Sequence, residues 1–198
     1  SRIEKIKQPY GGYLKPSEMD MRVIDDGNEL APDEYVSVKA NIIGLVVDYL
    51  TRFMLGEPKE EAFRISLEGA KIKQKFVSEG EKEANEYLSE IKGLDEISIE
   101  NACRLATFDV WRRSHFNARM SDNDIFVDYE TTENIQIMVQ RSLDFFKEYG
   151  PVIKSGFTFE PNGYTETVSS GDGDYLTKDT LWDFKVSKKK PTSVQTLQ

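Results

Sequence analysis

The feature that most restricts the fold of this chain is a change of periodicity at Gly150-Pro151. Before it, apolar residues recur at helical spacing. After it, short β-branched and aromatic runs alternate with Gly, Asn and Asp turns. Such a chain has to pack helices against a small sheet. The expected fold class is therefore α+β, with a helical N-terminal part on a mainly antiparallel sheet.

The order of segments follows from local signals. Residues 1–33 are rich in Gly, Pro, Asp and Asn and read as an irregular N-terminal arm packed through Tyr10, Tyr13 and Leu14. Residues 34–150 form the helical region. Val38, Ile42, Leu45, Val46, Tyr49, Leu50 and Phe53 mark a helix over 34–55, opened by Pro32-Asp33 and closed by Gly56-Glu57-Pro58. Further helices are expected over about 67–92, with a break near Gly80, over 97–119, and over 131–149. Residues 151–198 are the β-rich region. Val152-Ile153, Phe157–Phe159, Tyr164–Val168, Tyr175-Leu176 and Leu181–Val186 form a meander, and Lys188-Lys189-Lys190-Pro191 ends it.

Composition narrows the function classes. Of 198 residues, 38% are hydrophobic, enough to bury a core. A single cysteine, Cys103, excludes an internal disulfide framework, a thiolate zinc site and a four-cysteine iron–sulfur cluster. A single histidine, His115, excludes a histidine-rich metal site. The net charge of −9 argues against coating nucleic acid through a broad basic surface. The longest apolar run, Ile42–Val47, is far shorter than the roughly 20 residues that span a bilayer, so no membrane role is expected. The first residues carry no signal-peptide core, and one unpaired cysteine suits a reducing cytoplasm.

The last strand holds the chemistry. Alternation places Trp182, Phe184 and Val186 on one face and Asp183 and Lys185 on the other, about 7 Å apart along the strand. One connection upstream lies Gly171-Asp172-Gly173-Asp174-Tyr175-Leu176. Paired as a hairpin, these segments set Asp174 opposite Asp183. Two converging carboxylates make a hard oxygen site suited to Mg²⁺ or Mn²⁺. The adjacent lysine can orient a metal-bound water and neutralise phosphoryl charge. Two other acidic-x-Lys triplets, Glu57-Pro58-Lys59 and Glu90-Ile91-Lys92, stand in turn or helix context without such a partner.

These residues resemble the core signature of the PD-(D/E)XK nuclease superfamily, in its RecB-like exonuclease branch. There a Gly-x-(Ile/Val)-Asp strand precedes an Asp-apolar-Lys strand and a glutamine-bearing helix. An earlier Gly-x-x-x-His helix is also part of the pattern, and Gly44–Asp48 resembles it with Asp48 at the histidine position. The resemblance implies a restriction-endonuclease-like α/β core with Mg²⁺ or Mn²⁺ as cofactor and DNA as partner. It implies Asp174, Asp183 and Asp48 as metal ligands, Lys185 as the catalytic lysine, and Gln198 (or Gln195) as its helper. It covers residues 38–56 and 150–198, the helices between being an insertion. The family core also requires a helix and a strand after the lysine strand, so the C-terminal end of that core is missing from a chain ending at Gln198.

Other features carry less. His115 beside Arg112 and Arg113 can touch phosphate but reads as a solvated helix face. Cys103 reads as core. Asp122, Asp124, Asp128, Glu130 and Glu133 lack Ca²⁺-loop spacing and read as a solvated loop. Glu160 and Glu166 read as surface charge. Residues 151–198 hold six lysines and six acids, so the whole deficit of charge lies in residues 1–150. Lys188, Lys189 and Lys190 are the candidate substrate-binding residues. The function expected is metal-dependent DNA hydrolysis, with a possible homo-oligomer or partner protein. The alternative is a non-catalytic acidic interaction protein, such as a DNA mimic or an inhibitor of a nucleic-acid enzyme.

Overall fold

The computed structural model describes residues 20, 22–76, 79–114, 125–160 and 170–186. The chain divides into two compact units, Glu29–Phe184 and Ser1–Asn28 with Lys185–Gln198. Every helix and strand among the described residues belongs to the first. The arm residues Tyr10, Tyr13 and Leu14 lie outside the described residues.

Seven α-helices precede three strands among the described residues: α1 Ala40–Met54, α2 Lys59–Ala62, α3 Arg64–Gln74, α4 Gly80–Glu90, α5 Glu96–Ala106, α6 Asp109–Ser114, α7 Tyr129–Tyr149, then β1 Lys154–Phe159, β2 Gly171–Leu176 and β3 Leu181–Trp182. The combination of helices and a small antiparallel sheet is the expected α+β class.

The first helix starts later than its apolar pattern predicts. Pro32 opens only a 3₁₀ turn over Asp33–Tyr35. Ser37 then lies in a bend between that turn and α1. Its N–H donates to Thr131 Oγ1 at 3.1 Å, its hydroxyl donates to the Phe126 carbonyl at 2.9 Å, and it accepts from the Asp128 N–H at 3.0 Å. These bonds join the segment to the start of α7 and delay α1 to Ala40. Inside α1, Ile43, Val46, Val47 and Leu50 form the buried stripe at i, i+3, i+4 and i+7.

The expected 67–92 helix divides into α3 and α4, separated near Gly80 as its glycine suggested. Phe76 is 63% exposed and stacks on Trp111 at 6.3 Å. The 97–119 helix is also interrupted, at Thr107-Phe108. The Thr107 hydroxyl donates to the Arg104 carbonyl at 2.6 Å, and the turn drops Phe108 into the core and buries Asp109. Gly69 is what lets α3 approach there, since a Cβ on it would lie 2.0 Å from the Phe108 carbonyl oxygen. Residues 115–119 of that expected helix lie outside the described residues.

Helix α1 packs on α5 and α7, and its stripe joins Phe63, Ile99, Ala102, Cys103, Leu105, Ile135 and Val139 in one cluster. The sheet has the order β1-β2-β3, antiparallel throughout. Val152-Ile153 fall before β1, and Tyr164–Val168 lie outside the described residues. The sheet meets α7 through aromatic rings: Phe146 stacks on Phe184 at 5.0 Å and touches Tyr175 at 4.9 Å, while Phe145 meets Trp182 edge-on at 4.9 Å.

Candidate functional site

Asp48 and Arg52 stand one helical turn apart on α1, beside the buried stripe. The Arg52 guanidinium grips the Asp48 carboxylate with both arms, Nε to Oδ1 at 3.1 Å and Nη2 to Oδ2 at 2.5 Å. The ring of Tyr175 on β2 is fully buried, and its hydroxyl donates to Asp48 Oδ1 at 2.9 Å. Burial pushes the Asp48 carboxyl above the ordinary carboxylate range. Arg52 and the Tyr175 hydrogen bond oppose that shift, and the charge of Asp174 adds to it.

Asp174 approaches from β2. The register pairs Ser155 with Tyr175 and Phe157 with Gly173, so Gly156 lies across from Asp174. Gly156 has φ +52°, and a Cβ there would lie 1.9 Å from Arg52 Nη1. The guanidinium therefore rests on the β1 backbone at that point. The Asp174 carboxylate also accepts the Phe184 N–H at 2.8 Å through Oδ2.

That bond explains why β3 is short. The ladder runs through Tyr175 with Trp182 and Leu176 with Leu181, and one further step, which it does not take, would set Asp183 across from Asp174. The Phe184 amide turns to the Asp174 side chain and the strand ends at Trp182. The expected alternation nevertheless holds through Lys185: Trp182 and Phe184 both meet Phe145, while Asp183 and Lys185 are exposed, and only Val186, also exposed, departs from it. Lys185 is exposed and begins the C-terminal segment of the other unit. Gln195, Gln198, Lys188, Lys189 and Lys190 lie outside the described residues.

Asp48 is held by Arg52 and Tyr175, and Asp174, far away in sequence, lies near enough for its charge to add to the upward shift of the Asp48 carboxyl. Among the described residues, no group of three or more His, Cys, Asp or Glu side chains is arranged to hold a metal ion. A carboxylate pair is what remains. Mg²⁺ typically keeps several waters and takes only one or two carboxylates, so a pair suffices for that ion. The mutual repulsion of Asp48 and Asp174 is also a field that a bound cation relieves.

No family model, curated protein or solved structure matches the chain.

Arg52 and Tyr175 did not stand out in the sequence. Arg52 was legible as the i+4 partner of Asp48 on an otherwise apolar helix, a spacing that favours an ion pair. No sequence signal distinguishes the Tyr175 hydroxyl from any aromatic on a buried strand. Glu57 completes the surroundings. It lies in the field of Arg52 and accepts the Ser155 hydroxyl at 2.8 Å.

The other candidates fall to structural roles. Cys103 is buried, and burial pushes its thiol up to about 12, which makes it unreactive. Asp128 caps α7 by accepting the Thr131 N–H at 2.8 Å, so with Glu130 and Glu133 it begins a helix rather than a solvated loop. Arg112 pairs with Glu68 at 2.9 Å and Arg113 with Asp109 at 3.5 Å. Glu160 is exposed. His115, Asp122, Asp124 and Glu166 lie outside the described residues. No helix among the described residues is long and apolar enough to cross a membrane.

Proposed function

We propose that this chain is a Mg²⁺- or Mn²⁺-dependent nuclease that hydrolyses DNA phosphodiester bonds, built on a RecB-like PD-(D/E)XK core. The reading is supported by Asp48 on α1 and Asp174 on β2, near enough for the charge of Asp174 to add to the upward shift of the Asp48 carboxyl. The hairpin pattern singles out Asp174, and only the resemblance to the RecB-like branch singles out Asp48. The β2–β3 register adds support, because continued by one step beyond Tyr175 and Trp182 it would bring Asp183 across from Asp174.

In this reading Asp48 and Asp174 hold the ion, with Asp183 beside Asp174 in register. The bound ion supplies charge neutralisation at the phosphate and a more acidic water. Tyr175 and Arg52 orient the Asp48 carboxylate, and the Phe184 amide fixes one oxygen of Asp174. Lys185 is assigned as the catalytic lysine, Gln198 as its helper and Lys188–Lys190 as phosphate contacts on the sequence pattern alone. A reducing cytoplasm is the compartment proposed for its unpaired, buried Cys103.

The test is cleavage of linear double- and single-stranded DNA with Mn²⁺ by the protein in its full reading frame. Wild type is expected to cut, and Asp174→Ala, Asp183→Ala and Lys185→Ala to lose at least a hundredfold in rate. Cutting that survives all three substitutions, or its absence from wild type, overturns the proposal. Absence together with partner binding that is lost on charge reversal around residues 122–133 identifies the acidic interaction protein instead.

A further inference from the structure

Helices α3 and α6 pack on each other and present a cationic face. Along α3 and its C-cap, Arg64, Glu68, Lys71 and Lys75 recur at i, i+4, i+7 and i+11, which is one side of a helix. From α6, Arg112 reaches the same side. Its Nε donates to Glu68 Oε2 at 2.9 Å, while Arg64 Nη1 donates to Oε1 at 3.0 Å. Two guanidiniums share one carboxylate, so one positive charge is left over. Both arginine side chains stay nearly half exposed, at 45% and 47%. Lys75 and Arg113 are exposed as well, whereas the other acid of these two helices, Asp109, is buried against Tyr49 and Ser66. Lys71 is set apart, because it shares a groove between α3 and α4 with Glu81. In a chain of net charge −9 such a face is out of keeping with the whole. Next to it the exposed ring of Phe76 lies on Trp111 with only 20° between the planes. Single exposed apolar side chains are ordinary. An open ring laid nearly parallel on a second aromatic, beside cations with charge to spare, combines the two elements that hold a nucleic-acid strand, a stacking platform and a field that attracts phosphate.

We propose that the α3–α6 face binds single-stranded DNA, with Phe76 stacking an unpaired base and Arg64, Lys75 and Arg112 contacting the flanking phosphates. The single strand follows from the ring, since the bases inside a duplex have both faces covered. The pairing with Glu68 does not hold the arginines back: an exposed ion pair is worth little, and a phosphate offers a guanidinium a bidentate partner. The deoxyribose is taken from the function proposed above. The rest of the inference stands on this face and requires no metal ion.

The experiment is fluorescence anisotropy of a labelled oligo(dT) of about twelve nucleotides with the full chain in EDTA, so that binding is read apart from any metal-dependent cleavage. Wild type is expected to bind it at about 50 mM salt and to bind a duplex of the same length more weakly. Phe76→Ala is expected to weaken binding about tenfold with the salt dependence unchanged, and Phe76→Trp to restore it. Arg112→Gln is expected to weaken binding and to lower the slope of log K against log salt by about 0.7, the share of one phosphate on a single strand. Lys92→Gln, which removes an exposed charge between α4 and α5, is expected to change neither. Failure of wild type to bind overturns the proposal. So does tighter binding of the duplex or of oligo(rU), or equal displacement by polyglutamate of the same charge, or binding that Phe76→Ala and Arg112→Gln leave intact. If wild type still cuts DNA with Mn²⁺, any of these results leaves the nuclease reading standing. Binding at this face by a wild type that does not cut overturns the nuclease reading alone.

Discussion

A second buried carboxylate shows how differently the same side chain is used away from the site. Asp109 is 2% exposed and accepts two hydroxyl hydrogen bonds of 2.6 Å, from Tyr49 to Oδ2 and from Ser66 to Oδ1. It ties α1, α3 and α6 together. Burial pushes its carboxyl above the ordinary range, and the two hydroxyls and Arg113 only partly oppose this. A carboxyl raised on folding binds its proton more tightly in the native state than in the unfolded chain. Its stabilising contribution is complete below the ordinary value of 3.8 and is lost as pH climbs through the raised native value. Asp109→Asn cannot titrate. The gap in unfolding free energy between wild type and Asp109→Asn should therefore shift in favour of wild type as pH falls from 7 toward 4, in urea titrations at each pH. A gap that is flat over that range, or moves the other way, counts against the native carboxyl being raised. Asp109→Ala is expected to cost about 3 kcal/mol at neutral pH, because both buried hydroxyls lose their acceptor.

Among the helices, α5 carries its own start signal. The Asp95 carboxylate accepts the Ser98 N–H at 3.0 Å and the Ser98 hydroxyl at 2.7 Å. These bonds from Ser98 hold the Asp95 carboxyl below its ordinary range. Here the sign is reversed: the stability is present above the ordinary carboxylate value and lost as pH falls through the lowered one. Asp95→Ala should cost about 1 kcal/mol at pH 7, the usual worth of such a cap. That cost should shrink in acid unfolding curves below pH 3.8, and a cost independent of pH would refute the cap. Helices with strong apolar stripes, α1 and α7 above all, were legible from spacing, because burial against a core rewards period 3.6 directly. Their boundaries were less so. Ser37 bonds to a segment some ninety residues away, and Thr107 interrupts a helix through its own hydroxyl. Neither competes visibly in a local window. The same holds at the site. Asp174 and Asp183 could be chosen by pattern and Asp48 only through the resemblance, whereas the shortening of β3 depends on the Phe184 amide meeting an Asp174 side chain rather than a backbone carbonyl.

Within the unit Glu29–Phe184, apolar burial falls into two groups of unlike character. One is the mainly aliphatic cluster around α1, α5 and α7, with Val46, Leu50, Ile99, Leu105, Ile135 and Val139 at 0% exposure and Tyr49, Phe63 and Phe108 buried among them. The other is the aromatic group by which Phe145 and Phe146 hold Tyr175, Trp182 and Phe184. Neither Phe146 nor Tyr175 belongs to the aliphatic cluster. The sheet has three strands, one of two residues, and such a sheet depends on its packing partner for stability. The sheet should therefore open at lower free energy than the helices, as a separate cooperative layer. Leu105→Ala discriminates. It removes a fully buried side chain from α5 and should lower global stability by about 3 kcal/mol. Amides of α1, α5 and α7 that exchange only through global unfolding should then speed up by roughly 100-fold. Amides of the β1–β2 ladder, which exchange through an opening that leaves Leu105 buried, should keep their wild-type rates. Hydrogen exchange in which ladder and helix amides accelerate together would mean one cooperative unit. Separate layers put Asp48 on the stable side of the site and Asp174 on the labile side, so a ligand that bridges them is expected to slow exchange in β2 more than in α1.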